Sequence, residues 1–136
     1  MRWLKWFVAG ALAVPVFHQL AFWIMNAIGF IDRAPFSFAP TEPFGIPSLL
    51  SLSFWGGVWG IVLGLLLTRV HGARYWMVAA VFGAVAPTLV AGFVVAPLKG
   101  EAAGGNAKLA ITGLVVNAAW GLGTAVIYRL LRGRNT

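Results

Sequence analysis

Four apolar stretches alternate with shorter polar ones along the chain of 136 residues. They cover about residues 4–24, 48–68, 75–96 and 109–129. Each is long enough, as a helix, to cross a hydrocarbon core of roughly 30 Å. The second stretch opens just after Pro47, because proline suits a helix's first turn and pushes the residue before it out of helical geometry. Arg69, Gly72 and Arg74 mark a tight turn before the third stretch, and Gly133 with its arginines closes the fourth. The expected fold is an all-α membrane protein, a single transmembrane domain over residues 1–136 built as a four-transmembrane-helix bundle.

Small residues recur inside these stretches at four-residue spacing, which stacks them on one helix face. Gly56, Gly60 and Gly64 do so in the second, Gly83 with Ala79 and Pro87 in the third, and Gly121 with Gly113 and Asn117 in the fourth. In water each interior glycine would cost about 1 kcal/mol against alanine, whereas in lipid the same rows let helix backbones approach closely. Close crossings therefore define the packing expected, with the exposed glycine row of the second stretch, or its counterpart in the fourth, as a surface for a homo-oligomer. Gly10-Ala-Leu-Ala-Val-Pro15 echoes Gly83-Ala-Val-Ala-Pro87, and Trp59-Gly60 echoes Trp120-Gly121. Such echoes suggest two tandem helical hairpins related by a weak internal repeat.

The connections differ in character. Residues 25–47 alternate proline with phenylalanine and fit neither a regular helix nor a central strand. That segment either folds back over the helix ends or lies among lipid headgroups. Lys99 to Lys108 is small, polar and glycine-rich, without the spacing of a phosphate loop.

Composition sharpens the class. Hydrophobic residues make up 60% of the chain and charged ones 10%, against about 25% charged in a soluble domain. The first apolar run follows Met1-Arg-Trp-Leu-Lys in the manner of a signal sequence, but it continues to Trp23 and reads as a retained span. The net charge of +7 does not indicate nucleic acid, because the basic residues sit at the ends of apolar runs. Arg2, Lys5, Arg69, Arg74, Arg129, Arg132 and Arg134 fall on one side, and all the acids, Asp32, Glu42 and Glu101, on the other. The positive-inside rule then puts both termini in the cytoplasm.

Polar residues within the spans gather in the half nearer the Pro/Phe connection. His18, Gln19, Ser51, Ser53, Thr88 and Asn117 are the candidate cavity or ligand residues, with Asp32, Arg33 and Glu42 as charges at the outer mouth. An ionisable group inside a membrane usually marks a site, which singles out His18. The same residues equally serve as interhelical hydrogen-bonding glue. There is no cysteine, no intramembrane carboxylate and no nucleophile–base pair, so neither an enzyme nor a metal site is expected, and no cofactor. Haem or quinone held through His18 alone is a third reading.

Phe17-His18-Gln19, Ala34-Pro35-Phe36-Ser37, and Pro43-Phe44-Gly45-Ile46-Pro47 with the run from Ser51 to Gly60 resemble a pattern found in small, uncharacterised four-span bacterial inner-membrane proteins. The resemblance implies a multi-pass protein of the bacterial inner membrane and brings no activity with it. Two functions follow as expectations. The first is an oligomeric channel- or carrier-like protein with an outward-facing polar cavity. The second is a structural or accessory subunit of a larger membrane complex.

Overall fold

The computed structural model describes residues 1–41 and 44–133. It contains four long helices: α1 (Arg2–Ala27), α2 (Ser48–Leu67), α3 (Ala73–Leu98) and α4 (Ala107–Arg132). All four are long and apolar enough to cross a membrane, as in a multi-pass membrane protein. α1, α3 and α4 overrun the apolar stretches by a few residues at their ends, where polar and aromatic side chains still suit a helix at the interface.

Helix α1 packs on α2 and on α4, α3 packs on α4, and α2 meets α3 less closely. Glycine sets the two closest crossings. A Cβ on Gly10 would strike the Gly56 carbonyl oxygen and lie 2.9 Å from Gly60 Cα. A Cβ on Gly83 would lie 2.7 Å from the Asn117 carbonyl oxygen and 2.9 Å from Gly121 Cα. Real Cβ atoms do not come so close, so only glycine permits either approach. Gly60 and Gly121 answer from the opposite helix: a Cβ on Gly60 would lie 2.5 Å from the Trp6 carbonyl oxygen, and one on Gly121 would strike that of Ala79. Each of those carbonyls stands four residues before Gly10 or Gly83, so the two crossings have the same geometry. Gly64 lies under the Trp6 ring. The glycine row of α2 is therefore covered by α1 of the same chain. It is not the exposed surface that self-association through it would require.

Proline shapes α1 and α3. Pro15 lies in a π-helical turn, Val14–His18, and Pro87 stands inside α-helix with a second π turn, Ala91–Val95, four residues on. Proline's missing N–H removes a donor from the ladder, and a widened turn accommodates the gap. Gly72, at φ 63°, opens α3, and Gly133, at φ 75°, ends α4, both conformations that side chains rarely adopt. The Pro/Phe connection carries one short antiparallel pair, β1 (Pro40–Thr41) with β2 (Ile46–Pro47), in the register Pro40 to Pro47 and Thr41 to Ile46.

Candidate functional site

The polar candidates divide into hydrogen-bonded groups and scattered individuals. The first group begins at the loop. The Phe36 backbone N–H donates to Gln19 Oε1 at 2.6 Å. A backbone N–H can only donate, so it fixes which end of the Gln19 amide is oxygen and turns Nε2 toward His18. Gln19 Nε2 then lies 3.0 Å from His18 Nδ1 and donates to it. With Nδ1 accepting, the neutral ring carries its proton on Nε2. The Asn117 side chain stands near the His18 ring. Asn117 Nδ2 donates to Thr88 Oγ1 at 2.9 Å. Two neighbouring runs of hydrogen bonds result: Phe36, Gln19 and His18 join the loop to α1, and Asn117 with Thr88 joins α4 to α3.

Local structure puts these groups in line. The π turn ends at His18, and its extra residue rotates His18 and Gln19 around the helix relative to regular spacing. Gln19 is buried, at 4% exposure, so its amide would be costly without partners. Asn117 precedes Gly121 by one turn at the α3–α4 crossing, where the close approach brings Thr88 within reach.

The remaining candidates stand outside these runs of bonds. Ser51 and Ser53 are half-buried on α2 and are not joined to them. Asp32 and Arg33 are exposed in the loop. Glu42 lies outside the described residues. Thr112, also polar and buried, bonds its own helix at the Lys108 carbonyl, 2.7 Å away.

The loop itself folds back onto the helix ends. Asn26 Nδ2 donates to the carbonyls of Ile31 at 3.1 Å and Arg33 at 2.8 Å. The first N–H groups of α2, which no side chain caps, are taken by the loop: Ser48 by the Ala39 carbonyl at 2.8 Å and Leu49 by that of Ser37 at 2.9 Å. Two of its phenylalanines nevertheless face outward, Phe38 at 66% and Phe44 at 85% exposure. The backbone is fastened and the rings are presented.

Sequence reasoning missed three aromatic anchors, two of them polar. Trp120 Nε1 donates to the Gly10 carbonyl at 3.0 Å and ties α4 to the α1–α2 crossing. Tyr75 Oη donates to the Ala125 carbonyl at 3.0 Å. Trp6 stacks on Tyr128 with centroids 3.6 Å apart and planes 6° from parallel. For Trp120 and Tyr75 the signal was present, since a buried tryptophan or tyrosine usually finds a partner for its one polar atom.

Two hollows open elsewhere. One is an apolar groove on α3, along Met77, Val81 and Val85. The other lies where the ends of all four helices meet, lined by residues from Arg2 to Arg132. Neither is lined by His18, Gln19, Thr88 or Asn117. The chain matches no protein family, no curated protein and no solved structure.

Proposed function

We propose that this chain is a structural or accessory subunit of a larger complex in a bacterial inner membrane, with both termini cytoplasmic. The observation that carries this reading is that these polar groups are hydrogen-bonded inside the protein, Gln19 to Phe36 and His18, and Asn117 to Thr88. A channel or carrier keeps its intramembrane polar groups available to solute or water. Here they spend their bonding capacity on one another and on the loop.

The pinned loop supplies the presenting surface. Phe38 and Phe44 project from a backbone already fixed, so a partner that covers them faces little ordering cost on this side. The two matched glycine crossings support a tandem pair of helical hairpins as the scaffold. The gathering of arginines at the termini end supports the cytoplasmic orientation.

The test is purification from native membranes in mild detergent. The reading expects a stoichiometric partner protein, lost on Phe38→Ala with Phe44→Ala while the variant still folds. Purification of the wild type as a lone stable oligomer contradicts it. So does solute flux in proteoliposomes that vanishes on His18→Ala.

A further inference from the structure

The hollow at the termini end has chemistry of its own. About 240 Å³ in volume, it is lined by Arg2, Arg129 and Arg132 together with His71, Trp6 and Tyr128. Among the described residues no Asp or Glu lines it. Arginine guanidinium groups suit phosphate oxygens because their N–H donors form a planar fork. Two of the three are held over aromatic rings: Arg129 Cζ lies 4.3 Å from the Tyr75 ring centre and 5.1 Å from that of Trp76, and Arg2 Cζ lies 4.6 Å from that of Trp3. Tyr75 is itself fixed by its bond to the Ala125 carbonyl. The hollow's cations are thus positioned by the fold.

A second observation points to a ligand independently of charge. Trp6 is 1% exposed and its indole N–H has no hydrogen-bond partner among the described residues. An orphaned buried donor costs about 1–3 kcal/mol, and native folds rarely leave one. Trp6 borders the same hollow.

We propose that this hollow binds the phosphate of an anionic phospholipid in the leaflet on the termini side. The Trp6 N–H and the arginines are the donors. The volume, below the roughly 300–1,000 Å³ of sites for drug-sized ligands, suits a headgroup. Leu4, Leu66 and Leu130 are exposed within two residues of lining positions, where acyl chains would lie. The proposal rests on the four helices lying in a bilayer. Wild-type protein that leaves the membrane fraction only with detergent tests that reading separately.

The experiment uses the purified full chain in neutral detergent. Thermal unfolding is followed while phosphatidylglycerol, phosphatidylcholine or inorganic phosphate is added. Phosphatidylglycerol raises the transition temperature, and the other two leave it unchanged. Arg2→Gln with Arg129→Gln weakens the apparent affinity about tenfold or more, each shift being read against the variant's own lipid-free transition. Trp6→Phe, which keeps the stacking ring and deletes the donor, weakens it too. Lys99→Gln with Lys108→Gln removes equal charge at the opposite end and leaves the affinity unchanged. Equal weakening by the two double variants overturns the site in favour of general charge attraction. A shift reproduced by inorganic phosphate alone overturns the lipid assignment. No shift with phosphatidylglycerol overturns the proposal outright.

Discussion

Gln19 Oε1 holds the backbone N–H of Phe36 at 2.6 Å across seventeen residues, and Phe36 sits at φ 55°. The left-handed region costs a non-glycine residue roughly 1–2 kcal/mol. Strain of this kind persists only where surroundings enforce it. Here the buried amide of α1 enforces it, and that bond couples the loop's shape to the intramembrane hydrogen bonds.

Gln19→Leu removes that acceptor and leaves both Phe36 N–H and His18 Nδ1 without their partner. The expected loss is about 1–3 kcal/mol of stability. Protease should also cut residues 30–41 faster in the variant than in the wild type, because the loop loses a fastening point. An unchanged cleavage rate would show that the Asn26 and α2 contacts hold the loop alone.

Glycine substitutions separate crossings from mere helical positions. Gly10→Ala must push α1 from α2, because the Gly56 carbonyl occupies the space, and overpacking of this kind costs about 1–3 kcal/mol. At Gly92 the nearest atom, Gly104 Cα, stands 3.5 Å from a new Cβ, an ordinary contact. Gly92→Ala should therefore be neutral or gain up to about 1 kcal/mol in helix propensity. Reversible unfolding in detergent distinguishes the pair, and similar costs for both would refute close packing at Gly10.

His18 and Asn117 should be energetically coupled. In a double-mutant cycle with His18→Ala and Asn117→Ala, the paired change should cost less than the sum of the singles, with an interaction of about 0.5–3 kcal/mol. Additive effects would mean that the two side chains act independently.

Trp120→Phe tests the tie between α4 and the α1–α2 crossing. The ring still fills the space near Gly56, but the Gly10 carbonyl loses its donor. A loss of about 1 kcal/mol is expected in the same unfolding assay. Full wild-type stability would leave the indole N–H without a structural role.

The spans were legible in the sequence because apolar length, glycine spacing and Pro47 are local signals. The helix α2 begins at Ser48, immediately after that proline. Which face met which neighbour was not legible. Four-residue spacing shows that Gly56, Gly60 and Gly64 share a face, but not that α1 of the same chain covers it. The site was half legible for the same reason. His18, Gln19, Thr88 and Asn117 announce themselves as polar groups in apolar stretches, while their pairing, Gln19 with His18 and the loop and Asn117 with Thr88, depends on a π turn and on two long-range crossings. Ser51 and Ser53 carry the same compositional signal and stand apart. Trp6, Tyr75 and Trp120 hid among bulky apolar residues, since nothing local reveals where a single ring N–H or O–H will point.

Water access to Thr88 tests most directly whether the intramembrane polar groups form a closed tie or line a solute path. The chain contains no cysteine, so Thr88→Cys introduces a single, nearly isosteric thiol at the α3 side of the Asn117–Thr88 bond. With membrane-impermeant maleimide applied to intact membranes and to opened ones, the closed tie predicts no labelling of this thiol from either side, while a cysteine at exposed Glu101 (Glu101→Cys) labels readily. Labelling of Thr88→Cys at a rate approaching that of the loop thiol would contradict it, and would return the polar groups to service as a hydrated passage.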